Sequence, residues 1–320
     1  MTKLLSVAPA PHIRSKKTTN LIMLDVIIAL LPVVVASGIL FGLNALVLIA
    51  VSVAGCVLSE YLWCRLMKKP QCVQDLSAVV TGILIALNVP ASLPIWQVLF
   101  GDVVAIIIVK QLFGGIGYNF VNPALAARVV MGLSFPASMT SYTYPAGTLE
   151  GMSGATPLSS IDALSNATPE AATHLGKYAD LFSLFIGRHG GVLGETCALA
   201  ILIGGIYLII RGIIKPIIPL SFLATTFLLH YAFGSIAPLH AILSGGILLG
   251  AVFMATDYTT SPYTDKGKLV FGVGCGILTA VIRTYTNTHE GVTYSILIMN
   301  LLVPYINKLT RKKPYGGAAK

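Results

Sequence analysis

Long apolar runs are the feature of this sequence that most limits how it can fold. Ten runs approach the roughly 20 residues that a helix needs to cross the hydrocarbon layer of a bilayer. They cover 21–41, 43–64, 76–90, 95–113, 120–137, 192–210, 217–234, 239–256, 269–286 and 292–306. Such repeated runs favour membrane-spanning helices, so we expect an all-α integral membrane protein of about ten transmembrane helices, with residues 1–320 forming a single polytopic domain.

The composition supports a membrane class over a soluble one. Only 10% of the residues are charged and 55% are hydrophobic, and the mean hydropathy is +0.83. A soluble globular chain carries about 25% charged residues. The formal charge of +9 could suggest a nucleic-acid partner, but no basic run lies beside an aromatic-rich soluble domain. We therefore expect membrane lipid around the chain and no nucleic acid.

The distribution of lysine and arginine predicts the orientation. If the amino terminus is cytoplasmic, seventeen of the 21 basic residues fall on the inner side, three on the outer side and one within a span. The outer residues are Lys177, Arg188 and Arg283, and the residue within a span is Arg128. Positive charge collects on the cytoplasmic side of membrane proteins, so we expect an inner-membrane protein with both termini inside.

This orientation assigns the connecting segments to the two sides of the membrane. Residues 1–20 form a cytoplasmic amino-terminal segment without the pattern of a cleaved signal peptide, and 307–320 form a basic cytoplasmic tail. The one long loop, 138–191, is external. Loops of this length without strong structure of their own are usually functional or disordered.

The cysteines give no sign of a metal or cluster site. Cys56, Cys64, Cys72, Cys197 and Cys275 form no CxxC pair and no Cys/His group with ligand spacing. We therefore expect no metal ion, and packing is the simpler explanation for these residues.

Parts of the two halves of the sequence resemble each other. "TGILIALNVP" in the third run is similar to "GGILLGAVFMATD" in the eighth, and "GIGYNFVNP" and "EGVTYSILIMN" follow them. An offset of five spans would invert the second half, which predicts two inverted five-helix repeats with some broken helices, an arrangement that builds sites at the interface. The alternative is convergence of small residues in tightly packed helices.

The external loop carries "EGMSGATPLSS", residues 150–160. Its small residues would leave the Thr156 hydroxyl open to a modifying enzyme. Taken alone, the stretch is equally typical of an ordinary turn, where serine, glycine and threonine are common.

Three motifs together carry a family resemblance: "EGMSGATPL", "YNFVNPALAARVVMG" and "FMATDYTTSP". The first is similar to a flavinylation motif, and over nearly its whole length the chain resembles the family of membrane subunits that includes RnfD of the Rnf complex and NqrB of the sodium-pumping quinone reductase. The RnfD type is the closer resemblance, because NqrB usually has a longer amino-terminal extension.

The resemblance implies that a flavin transferase attaches FMN through a phosphodiester to Thr156, with Ser153, Gly154 and Ala155 as the surrounding motif. The leading acidic residue of the motif is usually Asp, and here it is Glu150, which keeps the charge and extends its reach. The resemblance also implies a second, non-covalent flavin (riboflavin) among the helices. The matching polar positions, which our topology puts on the cytoplasmic side, are Asn119, Asn122 and Asp257.

The function implied is electron transfer within an ion-translocating ferredoxin:NAD oxidoreductase, a translocase of which this chain is one subunit without a complete active site. Its partners would be RnfA, RnfB, RnfC, RnfE and RnfG. Two other classes stay open from the residues alone. A solute channel or secondary transporter would explain the repeat but not the loop motif, and a structural anchor would predict neither flavin nor transport.

Several charged residues fall in or at the ends of spans, where such residues generally face a bundle interior or an aqueous cavity. They are candidates for an ion path, although each alone is more often an interfacial or paired charge. Asp257 could likewise be a helix-end residue in interfacial water. The candidates are Asp25, Glu60, Asp102, Lys110 and Arg128.

Overall fold

The structure is a computed structural model that describes residues 18–71, 73–143, 153–154, 181–187, 189–234, 237–286 and 291–311. Within these residues it is almost entirely helical. In chain order the elements are α1 (Thr19–Phe41), α2 (Leu43–Leu66), a 3₁₀ turn (Val73–Asp75), α3 (Ser77–Leu87), α4 (Ile95–Val103), the π-helix π1 (Val104–Gln111), α5 (Pro123–Ser134), α6 (Pro136–Met139), β1 (Tyr142–Thr143), β2 (Ser153–Gly154), α7 (Leu181–Ile186), α8 (Ala198–Ile210), α9 (Ile217–Phe233), α10 (Pro238–Leu243), α11 (Ile247–Leu249), the π-helix π2 (Gly250–Met254), α12 (Asp265–Tyr285) and α13 (Gly291–Thr310).

Four of the described helices, α1, α2, α12 and α13, are long and apolar enough to cross a membrane. Shorter apolar helices, α3, α5, α8 and α9, pack among them. Many large apolar side chains point outward, including Ile39, Leu43 and Leu309, each more than 70% exposed. Exposed apolar surface on this scale suits a lipid environment rather than water. The chain is therefore an integral membrane protein.

Helix α3 is much shorter than the apolar run 76–90 that contains it. Its last turn is closed by a distant segment, since the backbone N–H of Gly194 donates to the carbonyl of Leu87 at 2.8 Å and that of Leu193 donates to Val89 at 3.2 Å. Orphan carbonyls at a buried helix end need such partners. Because 189–197 turns to meet α3, helix α8 begins only at Ala198 rather than at 192.

Two other apolar runs also break within the bundle. The run 239–256 is divided into α10, α11 and π2, because Gly245 and Gly246 adopt φ of +71° and +68°, a region that favours glycine. The run 120–137 becomes a helix only from Pro123, where Asn122 caps the helix and proline occupies its first turn.

The helices α9 and α12 pack so closely that glycines of α12 lie against the backbone of α9. A Cβ added to Gly276 would lie 2.6 Å from the Cβ of Thr225 and 3.0 Å from the carbonyl oxygen of Phe222. One turn earlier, a Cβ on Gly272 would lie 2.9 Å from the carbonyl oxygen of Ile218. Small residues that allow backbones to approach closely are typical of helix contacts in membranes.

The strands β1 and β2 form a short antiparallel pair, in which Tyr142 faces Gly154 and Thr143 faces Ser153. The pair follows α5 and α6 in the chain. The hydroxyl of Ser92, in the connection after α3, donates to the carbonyl of Ser141 at 2.8 Å and holds the start of this segment.

Candidate functional site: a polar cavity at one end of the bundle

A cavity opens where the first turns of α1, α3 and α5 meet the last turns of α8, π1 and π2. Its walls and open mouth enclose about 780 Å³ of space, part of which is open to solvent. Apolar walls come from side chains such as Val80, Leu84, Ile213 and Phe253. Polar groups stand among them, including Asn119, Asn122 and Asp257.

Asn119 and Asn122 lie on the cavity wall just before α5. The Asn122 side chain accepts from the backbone N–H groups of Ala124 at 3.0 Å and Leu125 at 3.4 Å, and its amide donates to the carbonyl of Met254 at 3.4 Å. It therefore caps α5 and ties this helix to the end of π2. The Asn119 amide donates to the Thr259 hydroxyl at 3.1 Å, across the same junction.

Asp257 also lines the cavity, just after π2. Its carboxyl accepts from the hydroxyls of Thr259 at 2.8 Å and Thr260 at 3.2 Å, and from the backbone N–H of Thr259 at 3.3 Å. The side chain is half-buried because it borders the cavity. The protein packed around it raises its pKa above the ordinary value, while the three accepted hydrogen bonds oppose this rise.

Lys110 brings a buried positive charge to the cavity wall from the last turn of π1. Its ammonium lies 2.7 Å from Oε1 of Glu60 on α2 and donates to the hydroxyl of Ser77 at 2.6 Å. Gln111 donates to the same Glu60 oxygen at 2.6 Å. Ser77, in turn, donates to Asp75 in the half-buried 3₁₀ turn. This network joins α2, α3 and π1 around one cation.

The remaining charged candidates lie away from these contacts. Asp25 on α1 forms an ion pair with Arg211 at 3.0 Å, beside a hydrogen bond from Tyr207, and this fastens α1 to the end of α8. Asp102 on α4 accepts from Ser52 at 2.7 Å and from the thiol of Cys56 at 3.4 Å.

Arg128 lies deeper in the bundle, on α5. It donates to Asn88 at 2.7 Å, next to the break between α10 and α11. A Cβ on Gly246 would lie 3.1 Å from an oxygen of Glu195 and 4.0 Å from the Arg128 guanidinium, so both charges meet at that break. The structure thus separates the five charges among four different places.

The flavinylation motif falls largely outside the described residues. Glu150, Ala155 and Thr156 lie outside them, whereas the backbones of Ser153 and Gly154 form β2. Helix α5 begins at the cavity wall and its twelve residues extend for about 18 Å. Strand β1, which holds β2, follows α5 and α6, so these two motif residues lie beyond the end of α5 opposite the cavity.

The structure brings Asn119, Asn122 and Asp257 to the walls of one cavity. That they bind flavin stays a prediction, as does the modification of Thr156. Residues that the sequence did not single out are Ser77 and Thr259, which orient Lys110, Asn119 and Asp257. Serine and threonine are too common for their pattern alone to mark them.

The described part of the chain offers no group of three or more His, Cys, Asp or Glu side chains that could hold a metal ion. The cysteines within it, Cys56, Cys64, Cys197 and Cys275, are free thiols. Cys72 lies outside the described residues. The cavity is therefore defined by amides, hydroxyls, one carboxyl and one ammonium.

These features define a polytopic membrane protein with a polar cavity at one end of its helix bundle. The model of the NQR2, RnfD, RnfE family matches residues 6–316, and the chain belongs to this family.

Curated relatives match the chain along nearly its full length. The D subunit of the Na⁺-translocating ferredoxin:NAD⁺ oxidoreductase complex of Acetobacterium woodii is 46% identical over 317 residues, which cover 98% of this chain and 95% of the relative. The corresponding D subunit of the proton-translocating ferredoxin:NAD⁺ oxidoreductase complex of Clostridium ljungdahlii is 34% identical, covering 98% and 96%. That of the ion-translocating oxidoreductase complex of Stutzerimonas stutzeri is 38% identical, covering 95% and 94%.

Proposed function

We propose that this chain is a flavin-carrying electron-transfer subunit of a redox-driven membrane complex that couples ferredoxin and NAD to the transport of sodium ions or protons. The names of its relatives support the coupled reaction and the complex. The observation that supports a bound flavin is the cavity, which combines apolar walls with amides, a carboxyl and an ammonium.

The cavity residues fit an isoalloxazine ring system. Its flat faces need apolar contact, and its edge carries an N–H donor and several acceptors. The Asp257 carboxyl and the Asn119 amide oxygen can accept from that edge, while the Lys110 ammonium can donate to it. A bound flavin supplies the uptake and release of electrons, and the protein sets its position and potential.

Besides the non-covalent flavin in the cavity, the chain carries a covalent flavin, FMN, joined to Thr156. A phosphodiester tether would keep it at the outer face, where a molecule held only by affinity could be lost, since tethering maintains a high local concentration. The position of Ser153 and Gly154 beyond the far end of α5 supports two flavins at opposite ends of this helix. Electrons would then cross the membrane within the complex. RnfA, RnfB, RnfC, RnfE and RnfG would supply the other centres, and a flavin transferase the attachment.

Modification of Thr156 is tested on the assembled complex. Thr156→Ala should abolish flavin fluorescence in a denaturing gel and stop electron transfer, with assembly intact, whereas Thr156→Ser should retain part of the attachment because it keeps a hydroxyl. Ser159→Ala is the matched control and should leave fluorescence unchanged. Mass spectrometry of the peptide 150–160 gives the direct result. An unmodified Thr156 in protein made together with a competent transferase would overturn the covalent flavin.

The cavity is tested separately by the flavin that denaturation releases. Alanine at both Asn119 and Asp257, combined with Asn122→Asp, should abolish this non-covalent flavin. The aspartate keeps the helix cap, which alanine would lose at a cost of about 1 kcal/mol. Thr226→Val, a buried change away from the cavity, is the control. Unchanged flavin content in the triple variant would remove the cavity from the proposal.

The proposal includes ten membrane helices in two inverted five-helix repeats, with both termini cytoplasmic and the loop 138–191 external. Contact between α1 and α8, the first helices of the two halves, supports this arrangement, as do the short helices α3 and α11, which fall in the two similar stretches of sequence. In a background without native cysteines, Ser165→Cys should react with an impermeant thiol reagent from outside, and Lys266→Cys only after the membrane is opened. The reverse pattern would invert the orientation.

A further inference from the structure

The Lys110–Glu60 pair is the most costly feature of the cavity region. The Lys110 side chain is 3% exposed and that of Glu60 is 0% exposed. Removing two charges from water costs several kcal/mol per ion even in real proteins, and mutual attraction offsets this only with good geometry and further hydrogen bonds. An apolar pair of similar size would hold α2 against π1 as well or better. The position of Lys110 on the cavity wall, with Glu60 behind it, therefore suggests a role beyond stability.

The contacts of Lys110 leave it one donor for the cavity. An ammonium carries three N–H groups, and within the described residues Glu60 and Ser77 account for two of them. Ser77 lies on the cavity wall together with Lys110, so the ammonium is fixed at the boundary of this space. Glu60 is held at the same oxygen by Gln111, while its Oε2 has no partner in the described part of the chain.

We propose that Lys110 makes the cavity favour the reduced over the oxidised form of the bound flavin, with Glu60 as the counter-ion that limits this preference. The inference rests on the proposed function of the cavity. Reduction with one proton taken up adds two electrons to the ring system and leaves it one charge more negative. A fixed cation beside the ring stabilises that form, and a fixed carboxylate behind the cation weakens the effect.

Other ionisable groups also face the cavity. Asp257 and Tyr258 lie on the wall after π2. Burial raises the pKa of both, that of Tyr258 to about 12, with the Asp257 charge adding to the rise. Among the described residues that line the cavity, Lys110 is the cation, so it is the group that attracts an occupant whose charge becomes more negative.

The test uses the full chain with Thr156→Ala, so that riboflavin added to the purified protein is the only flavin measured. Dissociation constants are determined for oxidised riboflavin and for riboflavin reduced by dithionite without oxygen. Lys110→Gln should lower the preference for the reduced form by about tenfold to a hundredfold, the effect of a unit charge several Å away at an effective dielectric constant of about 20.

Three further variants test the direction of the effect of each charge. Glu60→Gln should raise the preference for reduced riboflavin, because Lys110 loses its counter-ion. The double variant should lie between Lys110→Gln and the parent protein, since Glu60 offsets only part of the effect of Lys110. Lys110→Arg should retain the preference. A role of the pair in packing alone would move both single variants in the same direction or leave both ratios unchanged, and either result would overturn the inference.

The outcome also separates the inference from the proposed function. If the parent protein binds neither form of riboflavin, the cavity proposal fails. If it binds both and the ratio does not follow the charge at Lys110 and Glu60, only the inference fails. Thermal unfolding of each variant shows whether the protein measured is folded.

Discussion

Two interfaces between helices in this molecule are held together in different ways. Helix α2 meets α4 and π1 through buried polar groups, whereas α9 meets α12 through glycines at backbone distance. A lysine–carboxylate bridge lies at or beside each interface, and the two bridges have nearly equal lengths. Lys110–Glu60 measures 2.7 Å and is buried, while Lys215–Asp265 measures 2.6 Å and is more than half exposed. Close packing is therefore enough to join helices in this protein. The buried charges on α2 and π1 are not needed to hold helices together, which points to another role for them.

The most direct test of this comparison is to replace the two lysines, one at a time. Lys110→Met should lower the free energy of unfolding by about 3–5 kcal/mol, because it leaves Glu60 buried without a counter-charge. Lys215→Met should cost less than about 1 kcal/mol, because water screens an exposed pair. Unfolding in detergent by added denaturant measures both. Equal losses would mean that burial does not distinguish the pairs.

A smaller effect is expected at the glycines. Gly276→Ala should destabilise the protein by about 1–3 kcal/mol, because its Cβ would press on Thr225 and the α9 backbone. Gly132→Ala on α5 is the matched control. Nothing lies within 4 Å of its added Cβ, so this change should stabilise by up to about 1 kcal/mol through helix propensity. The same denaturant unfolding assay applies, and equal signs for the two variants would refute the packing argument.

The smallest effects concern single hydroxyls, one between α2 and α4 and one between α12 and α13. Ser52→Ala removes a donor to the buried Asp102 carboxyl and should cost about 1–3 kcal/mol. Thr279→Val removes the contact between the Thr279 and Ser295 hydroxyls, 2.7 Å apart. It should cost only about 0.6 kcal/mol, a typical value for a polar contact between membrane helices. If Thr279→Val cost as much as Ser52→Ala, the polar interface on α2 would not be special.

The sequence predicts the long helices well. Apolar length alone predicts 21–41, 43–64 and 217–234, and the helices run over Thr19–Phe41, Leu43–Leu66 and Ile217–Phe233. In these segments the requirement to satisfy the backbone in lipid decides the structure locally. The broken segments are different, because the end of α3 depends on hydrogen bonds from Leu193 and Gly194, which no local pattern contains.

The candidate site divides in the same way. Asn119, Asn122 and Asp257 stood out as polar residues beside apolar runs that match a family motif. Lys110 and Glu60 stood out only as charges, and their pairing was not visible from the sequence. Lys110 lies in the last turn of the π-helix π1, and π-helical turns of this kind are rare and have no simple sequence pattern. Motif and charge therefore mark candidates, while contact between elements decides which of them share a site.

The closure of α3 by a later segment has a consequence for how the protein is made. The carbonyls of Leu87 and Val89 find their partners in Gly194 and Leu193, residues that the ribosome adds only after α4 and α5 have been synthesised. Unsatisfied backbone groups are expensive in hydrocarbon. Helix α3 therefore cannot reach its final environment during its own synthesis. Insertion of the first half into the bilayer is completed only when the beginning of the second half arrives.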